Sequence, residues 1–374
     1  MTKKNKVFYL LPCLSVGGAE RIALSLVTGF TDLSYETRLL CLKPTRPSAL
    51  FLEETLANRG IKLVILGKNK RFDIKAWYRL YQLLRTEKPD ILHTQLFSAD
   101  ICGRVIGRLA GIKNIVSTIQ NLNHEEGQGR RSIRLLTRSL SKAVVAVSQT
   151  VKNHTIIWEA PPKKRLTVVY NGIDTERFKL KSNSQDTSLV IGAIGRLTSQ
   201  KGFDRLIKAL QLVTFPYHCY IVGEGEEAGA LQALINKLGL GNKITLTGGN
   251  SDIPLLLSKI DIFVLSSRWE GLPLVLLEAG AVGLPSIVSN APSNLEVVED
   301  GKTGLIFETE EELKDCLVQL YKDPMLRQKL GLALHDQVLL TFSAAAMVKN
   351  YNHLYIDILA NNSIKPLYEN SNRQ

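Results

Sequence analysis

The stretch Leu189-Val-Ile-Gly-Ala-Ile-Gly-Arg-Leu-Thr-Ser-Gln-Lys-Gly-Phe203 decides the fold of this chain. Its first six residues are apolar apart from one glycine, which is typical of a strand buried on both faces of a parallel sheet. The following residues hold two glycines and two cations, and a helical pattern begins at Phe203. A strand, a short loop and a helix form one βα unit, so the stretch predicts an α/β protein.

The same alternation of strand and helix continues along the whole chain. Further short apolar strands are predicted at 7–11, 38–42, 62–66, 91–93, 115–119, 143–147 and 166–170, and then at 218–222, 244–247, 262–266, 286–289 and 305–307. The polar stretch 179–188 reads as a linker. Because 374 residues are many for one core, we expect two domains, 1–180 and 181–342. Each is predicted to be a doubly wound parallel sheet that binds ligands at the carboxyl ends of its strands.

Both ends of the chain carry apolar patterns. The run 7–14 follows three lysines and resembles a short signal peptide, but it leads into Gly17-Gly18-Ala19-Glu20 and an amphipathic helix, which favours a first buried strand. That helix carries one apolar stripe, made of Ala19, Ile22, Ala23, Leu26, Val27 and Phe30. At the other end, a helix from about 343 is expected, with 343–374 packing back on the first domain. No run of about eighteen uncharged apolar residues predicts a membrane span.

The net charge of +12 is distributed unevenly. Residues 1–180 hold 30 Lys and Arg against 14 Asp and Glu, and residues 181–374 hold 17 against 21, so the halves carry +16 and −4. This asymmetry indicates an anionic partner for the first half, either lipid headgroups or nucleic acid. The five cysteines are scattered without metal-ligand spacing, which is typical of buried thiols in a reducing cytosol.

The loop after the strand 189–194 is a candidate phosphate site. Arg196 offers a planar fork of donors and Lys201 a point charge, and the helix N-terminus that follows attracts anions. Together these features suit a diphosphate. The alternative is an ordinary βα turn with two solvated cations.

A second candidate is the stretch 266–279, Ser-Ser-Arg-Trp-Glu-Gly-Leu-Pro-Leu-Val-Leu-Leu-Glu-Ala, in which two glutamates flank an apolar segment. A helix beginning near Pro273 fits it, since proline is tolerated in the first turn. Glu270 then precedes the helix, and Glu278 lies within it among apolar residues. A buried carboxylate needs a partner, and either a pair of sugar hydroxyls or an internal ion pair would serve.

Taken together, these segments resemble glycosyltransferase family 4, whose retaining enzymes have the GT-B fold of two Rossmann-like domains facing each other across a cleft. The resemblance covers nearly the whole chain. It includes the Gly-Gly-Ala-Glu loop, the stretch 169–174 with Phe178, the Gly-Arg-Leu-x-x-Gln-Lys-Gly loop, the Glu-Gly-Leu-Pro segment, and the stretches 285–288 and 296–304. This ordered set is far more specific than any single glycine motif.

The resemblance implies roles on the donor side. Arg196 and Lys201 would bind the diphosphate of a nucleotide sugar, preferably a uridine diphosphate sugar, and Glu270 would hold the transferred sugar; these three are the expected catalytic residues. Further donor contacts are expected from Gly17, Gly18, Gly223, Gly271, Leu272, Pro273 and Glu278, the last of these to the ribose. The segments 223–225 and 248–253 would lie by the base, although 223–225 alone is more typical of a plain strand-end turn.

The chemistry follows from these roles. Departure of a nucleoside diphosphate builds negative charge on the phosphate and oxocarbenium character on the sugar. The two cations would stabilise the phosphate charge, so neither a metal nor another cofactor is expected. The family retains anomeric configuration without an obvious carboxylate nucleophile. We adopt attack from the leaving-group face, with a phosphate oxygen accepting the proton of the acceptor, as the hypothesis.

The acceptor side departs from the family pattern. Where many members carry a histidine this chain has Gln120, which forms hydrogen bonds but is no base at neutral pH. His124 is either its substitute or a solvated loop residue. His93, at a strand end, is either an acceptor contact or a structural polar residue. With Asn171, in the family's segment near the domain boundary, Gln120 and His93 are the candidate acceptor residues.

A basic helical segment is predicted in the first half, with Arg131, Arg134, Arg138 and Lys142 on one face and Ile133, Leu136 and Leu140 on the other. It suits an anionic membrane surface, and a solvated face with its apolar side in the core fits as well. We expect a lipid-linked or polysaccharide acceptor of the capsule or lipopolysaccharide kind, and a cytoplasmic protein peripheral on the inner face of the membrane. Nucleic acid is not expected, because no aromatic residues interleave the basic cluster.

Other functions fit parts of the pattern. A dehydrogenase would carry Gly-x-Gly-x-x-Gly after a strand and an acid about twenty residues later, and this pattern is absent from the sequence. A GT-B-shaped sugar-nucleotide epimerase would bind the donor without a carbohydrate acceptor. A non-catalytic sugar-nucleotide-binding protein is disfavoured because Arg196, Lys201 and Glu270 are all present.

Overall fold

The protein is described from a computed structural model that covers residues 4–70, 73–122, 127–181, 189–249 and 252–364. The chain forms two compact units. Unit 1 comprises Met1–Gly172 with Ala344–Gln374, and unit 2 comprises Ile173–Ser343. Each unit is built on one parallel sheet, as the βα pattern predicts.

Unit 1 contains seven strands: β1 (Lys6–Leu11), β2 (Glu36–Cys41), β3 (Lys62–Ile65), β4 (Ile91–Gln95), β5 (Ile115–Ile119), β6 (Ala143–Ala146) and β7 (Leu166–Val168). The helices between them are α1 (Gly18–Asp32), α2 (Phe51–Asn58), α3 (Ile74–Glu87), α4 (Phe97–Leu109), α5 (Gln128–Thr137) and α6 (Gln149–Trp158). The sheet order is β3-β2-β1-β4-β5-β6-β7. The order reverses beside β1, as in a doubly wound sheet.

The apolar run near the amino terminus forms the central strand of this sheet. β1 pairs in parallel with β2 and with β4, and its residues from Val7 to Leu11 are buried. This confirms the strand interpretation of the run. Helix α1 then covers the sheet with most of its predicted stripe, of which Ile22, Ala23, Leu26, Val27 and Phe30 are buried.

Unit 2 contains six strands: β8 (Leu189–Ile194), β9 (Tyr217–Val222), β10 (Ile244–Leu246), β11 (Ile262–Leu265), β12 (Ser286–Ser289) and β13 (Leu305–Phe307). Its helices are α7 (Phe203–Gln211), α8 (Ala228–Lys237), α9 (Ile253–Ser258), α10 (Leu274–Val282), α11 (Glu310–Lys322) and α12 (Pro324–Thr341). The sheet order is β10-β9-β8-β11-β12-β13. The order reverses between β8 and β11, which places the loops after these two strands side by side.

The chain passes between the units earlier than the predicted boundary at 180. The Ile173 amide donates to the Phe342 carbonyl at 2.9 Å, and Ile173 also pairs with Ser343 in a short parallel bridge. The Lys181 amide donates to the Val282 carbonyl at 2.9 Å. These bonds hold the segment before β8 on unit 2, so Gly172 is the last residue of the first segment of unit 1.

The last described helix, α13 (Ala344–Leu359), belongs to unit 1 and lies against α1. Its buried residues recur at helical spacing and comprise the five expected ones and Val348: Met347, Val348, Tyr351, Leu354, Tyr355 and Ile358. Tyr35 donates to Asn352 at 2.8 Å and so fixes the helix to the loop after α1.

Every predicted strand overlaps an observed one, and the expected pair of parallel α/β domains is confirmed. All five cysteines are free thiols. Among the described helices, none combines the length and the apolar character that crossing a membrane requires.

Candidate functional site

The predicted phosphate loop follows β8 directly. Arg196 is exposed, and its guanidinium makes no hydrogen bond or ion pair with any described residue. Gly202 precedes α7 with φ +60°, and a Cβ there would overlap the Ser266 carbonyl oxygen. Only glycine fits this position, because the conformation is left-handed and the loop after β11 is in contact.

The structure brings the two candidate segments of unit 2 together through one ion pair. The Lys201 ammonium lies 2.5 Å from Oε1 of Glu270, and both side chains are largely buried. The neighbouring strands β8 and β11 deliver these residues, which are far apart in sequence, to one edge of the sheet. A cation that was predicted to bind phosphate and a carboxylate that was predicted to bind sugar therefore form one charged centre.

Two further hydrogen bonds hold the Glu270 carboxylate in place. The Ser267 hydroxyl donates to Oε1 at 2.6 Å, and the Gln200 amide donates to Oε2 at 3.4 Å. Gln200 also donates to the Trp269 carbonyl at 2.9 Å. Both carboxylate oxygens accept hydrogen bonds, so the group is fixed in position.

Arg268 is exposed and joins the loop after β11 to the loop after β8. It donates to the Ser199 carbonyl at 2.7 Å and to the Asp204 carboxylate at 2.8 Å. The sequence interpretation missed Arg268, Gln200 and Ser267 as supports of the site. Their positions within the two candidate segments could have identified them, because a polar residue next to a charged residue at a strand end often holds the charged side chain in place.

The loop before α10 presents Gly271, Leu272 and Pro273 at the start of the helix. Pro273 is the N-cap, so α10 begins at Leu274 and not at the proline itself. The first-turn amides of α10 receive no side-chain cap and are suited to an anionic or hydroxyl-rich ligand. Glu278 lies one turn further along and is buried, as predicted.

Gly223 is required by packing at the end of β9. Its φ is +151°, and a Cβ there would overlap the Gly195 carbonyl oxygen, while a Cβ on Gly225 would overlap that of Leu197. The Leu197 amide donates to the Glu224 carbonyl at 2.9 Å. This turn therefore shapes the loop that carries Arg196, which accounts for both glycines without a ligand. The other segment expected near the base, 248–253, is only partly within the described residues.

In unit 1, Gly17 and Gly18 lie at the N-terminus of α1. Gly17 is the N-cap, and since it has no side chain, no N-cap side chain bonds to the first amides of the helix. A Cβ on Gly17 would overlap the carboxylate of Glu20, which accepts a hydrogen bond from Ser15 at 2.7 Å. The carboxylate of Glu20 therefore lies against the helix N-terminus, and the approach of a phosphate to Gly17 and Gly18 stays a prediction.

His93 is not at an open surface. Its side chain is 0% exposed, with Nδ1 2.5 Å from the Tyr355 hydroxyl and Nε2 2.7 Å from the Thr118 hydroxyl. Burial lowers the pKa of His93 to about 3, so the ring is neutral. Because both nitrogens are engaged inside unit 1, the structural alternative holds and His93 is corrected from an acceptor contact to a core residue.

Gln120 and Asn171 form a buried chain of amides with Gln95. Asn171 donates to Gln120 at 2.8 Å, and Gln120 donates to Gln95 at 3.2 Å. The outer atoms of the chain, Nε2 of Gln95 and Oδ1 of Asn171, are buried without a hydrogen-bond partner among the described residues. The structure thus joins two of the three candidate acceptor residues, while His124 lies outside the described residues.

The predicted basic face of α5 is partly wrong. Arg134 is buried, lies 2.7 Å from Glu159 and belongs to an ionic cluster with Arg104 and Asp100. Leu136, which was expected to face the core, is 80% exposed. Arg134 lies inside and Leu136 outside because the buried acids need cationic partners, which an apolar side chain cannot replace.

Comparisons with known proteins agree with this architecture. The family model described as Glycosyltransferase Family 4 matches residues 16–177, and the model described as Glycosyl transferases group 1 matches residues 174–333. Among the similar solved structures is HepE of Anabaena in complex with UDP and glucose, with a TM-score of 0.81 and 19% identity, covering 93% of this chain and 98% of that one.

Two curated relatives span nearly their full lengths. The UDP-Gal:alpha-D-GlcNAc-diphosphoundecaprenol alpha-1,3-galactosyltransferase of Escherichia coli is 28% identical and covers 94% of this chain and 96% of its own. The lipopolysaccharide core biosynthesis glycosyltransferase LpsD of Rhizobium meliloti is 25% identical, with 91% and 95% covered.

The two parallel-sheet α/β domains have the GT-B fold. The two matching family models cover the chain from residue 16 to residue 333 without a gap. The chain belongs to glycosyltransferase family 4.

Proposed function

We propose that this protein is a retaining glycosyltransferase that moves a hexose from a UDP-sugar to a lipid-linked or polysaccharide acceptor in cell-surface glycan biosynthesis. The observation that carries the proposal is the centre formed by Lys201 and Glu270 beside the exposed Arg196. The donor assignment is supported by structural neighbours in complex with UDP, and the pathway by relatives named for lipopolysaccharide and capsule biosynthesis.

On the donor side, the diphosphate lies against Arg196 and Lys201. As the bond to the anomeric carbon breaks, negative charge grows on the leaving phosphate, and fixed cations stabilise it without reorganising. Glu270 orients Lys201 through the 2.5 Å contact and accepts bonds from the sugar hydroxyls. The proposed reaction is independent of a metal ion, because these two cations perform the electrostatic task.

Retention fits the state of Glu270. Its oxygens accept hydrogen bonds from Lys201, Ser267 and Gln200, and a carboxylate so engaged is a poor nucleophile. Acceptor attack on the face that the phosphate leaves, with a phosphate oxygen taking the acceptor's proton, needs no enzyme nucleophile. Glu278 is assigned to the ribose hydroxyls as the buried carboxylate of α10.

The acceptor and the membrane are assigned to unit 1. The Escherichia coli relative is named for a diphosphoundecaprenol-linked acceptor. Unit 1 carries the basic excess of the chain, and Leu136 and Ile157 are 80% and 75% exposed near Arg131, whose guanidinium lies over the Trp158 ring. Cations, an indole and exposed apolar side chains suit a lipid-water boundary. We therefore place the protein on the inner face of the cytoplasmic membrane as a peripheral enzyme.

The test is a panel of nucleotide sugars scored for nucleoside diphosphate release, with and without a native lipid extract. We expect release from one UDP-sugar that depends on the lipid extract and persists in EDTA. A product whose glycosidic bond has the donor's anomeric configuration, read by NMR, supports retention.

The same panel separates the alternatives. A sugar-nucleotide epimerase would convert the donor in the absence of lipid, and a non-catalytic binding protein would release nothing. Arg196→Ala and Lys201→Ala proteins that fold normally and still transfer sugar at the wild-type rate would refute the assignment of the donor site.

A further inference from the structure

A basic pocket lies in unit 1 beside the cavity that Gln120 lines, and the two share Phe97 and Arg130. Residues that follow β2, β3 and β4, together with the first turn of α5, line a cavity of about 490 Å³. Four of its eight lining residues are the cations Lys43, Lys68, Lys70 and Arg130, and none of the eight is an acid. Such a concentration of positive charge attracts an anion.

The loops around this pocket are held by the backbone. The Lys68 amide donates to the Leu42 carbonyl at 2.7 Å, and the Arg130 guanidinium lies 5.1 Å from the centre of the Phe97 ring. The nearby acid Asp73 accepts hydrogen bonds from the amides of Asn69 and Ala76 and so caps α3. The pocket is therefore built by the fold, and the carboxylate of Asp73 already binds backbone amides.

Among the four cations, Lys68 gives the strongest indication of a bound anion. Only 8% of it is exposed, and its ammonium makes no hydrogen bond or ion pair with any residue that the structure describes. Its electrostatic neighbour is the Cys102 thiol, whose pKa is raised by burial, with the Lys68 charge opposing that rise. A largely buried lysine that lines a cavity and has no acidic partner among the described residues suits an anion in that cavity.

The start of α4 adds backbone donors to the same cavity. The helix begins at Phe97 after Leu96, whose φ of +68° is unusual for a residue with a side chain, and it has no side-chain cap. Its first-turn acid, Asp100, is buried and bonded to Arg104 at 2.9 Å. The amide end of this helix has no side-chain cap and adds backbone donors to the four cations.

We propose that this pocket binds the phosphate groups of the acceptor, with Lys68 as the buried contact and Lys43, Lys70 and Arg130 around it. The ligand chemistry is a phosphate or diphosphate ester, and four cations suit a diphosphate better than a single phosphate. The assignment to the acceptor rests on the proposed transferase function. It makes the pocket the part of unit 1 that selects a diphosphate-linked lipid over a neutral glycan.

The binding test uses inorganic pyrophosphate, titrated calorimetrically into the full chain in saturating UDP so that unit 2 is occupied. We expect Lys43→Gln and Lys68→Gln each to weaken pyrophosphate binding about tenfold or more, as the loss of one charge-assisted contact does. Lys62→Gln, which removes the same charge at the opposite end of β3, should bind as the wild type does. Lys43 is exposed, so its variant keeps the test valid if Lys68→Gln unfolds.

Kinetics then identify the source of the phosphate. With a polyprenyl-diphosphate-linked sugar as acceptor, Lys43→Gln should raise the KM for the acceptor about tenfold and leave the KM for the UDP-sugar unchanged. Sedimentation with phosphatidylglycerol vesicles should be unaffected. Loss of vesicle binding with an unchanged acceptor KM would overturn the assignment in favour of a lipid headgroup.

Two results separate the pocket from the proposed function. Pyrophosphate binding that is equal in the wild type and both pocket variants, beside normal sugar transfer, refutes the pocket alone. Lysine-dependent pyrophosphate binding by a protein that transfers no sugar refutes the transferase proposal and leaves the pocket in place.

Discussion

The strand ends of the two units contrast with each other although both follow the same βα plan. In unit 2, the loops after β8 and β11 carry charged groups, with Lys201 fixed to Glu270 and Arg196 exposed. In unit 1, the polar residues of β4 and β5 are neutral and turned inward, as in the bonds from His93 to Thr118 and Tyr355.

The difference arises from the helix that covers each sheet edge. α13 returns to unit 1, where Tyr355 is hydrogen-bonded to His93 of β4 and Tyr351 to Thr118 of β5. These polar side chains are therefore bonded within the core. In unit 2, Gly202 and Gly223 let the loops approach one another and leave Arg196 outside. A position at a strand end therefore identifies a polar residue as a candidate. Whether that residue can contact a ligand depends on the helix that covers it.

The largest effect is expected from Glu270→Gln, which tests whether unit 2 is a catalytic centre. The change keeps the shape but removes the charge that fixes Lys201, so we expect kcat/KM for the UDP-sugar to fall about a hundredfold, in the range seen when one preorganised group is lost. Steady-state nucleotide release measures it. Glu311→Gln, at an exposed site on α11, is the matched control, and an equal loss in both variants would contradict the account.

The packing of the unit 2 loops is tested by Gly223→Ala. A methyl group there would overlap the Gly195 carbonyl oxygen in a backbone conformation that side chains avoid. We expect the free energy of unfolding to fall by about 1–3 kcal/mol, measured by thermal denaturation. Gly229→Ala on α8, where nothing lies within 4 Å of the added carbon, should be neutral or stabilising. A harmless Gly223→Ala would show that the loop does not depend on this turn.

The buried His93 of unit 1 contributes a pH dependence of its own to the stability of the protein. The pKa of His93 is about 3 when folded and about 6.5 when unfolded, so the unfolded chain binds the extra proton between these values. Stability is full above pH 6.5 and falls by up to about 1.4 kcal/mol per pH unit as the pH drops below it. Urea unfolding of the wild type and of His93→Gln between pH 5 and 7.5 measures this slope, which should be shallower in the variant. Parallel curves would place His93 outside the core.

The smallest effect concerns the proposed membrane face. Leu136→Ser removes an 80% exposed side chain from α5, and we expect severalfold weaker binding to phosphatidylglycerol vesicles because one apolar side chain no longer enters the lipid boundary. Leu340→Ser on α12 of unit 2, where the leucine is 81% exposed, should bind as the wild type does. Equal binding by both variants and the wild type would remove α5 from the membrane contact.

Much of the fold could be predicted from the sequence. Strands are local apolar runs between glycine-containing loops, and every predicted strand overlaps an observed one. Because the strands were located correctly, the candidate loops also lie at strand ends. The charged residues of the loops after β8 and β11 were also identifiable as candidates, because they stand beside glycines at strand ends.

The remaining features depend on partners distant in sequence. Arg134 fits a solvated basic face by its spacing, and only the buried Glu159 explains its inward position. His93 is buried because Tyr355, from the end of the chain, closes over it. The Lys201–Glu270 contact follows from the adjacency of β8 and β11, which no single segment reveals. Periodicity predicts which face a residue occupies, but the partner that faces it comes from the tertiary fold.

The central claim is that the nucleotide is bound by the charged loops of unit 2, and calorimetric titration of UDP tests it most directly. The account predicts that Arg196→Ala weakens UDP binding about tenfold or more, the effect of losing one charge-assisted contact to phosphate, with Lys62→Gln of unit 1 unchanged. Equal UDP affinity in the wild type and in a folded Arg196→Ala protein would contradict it.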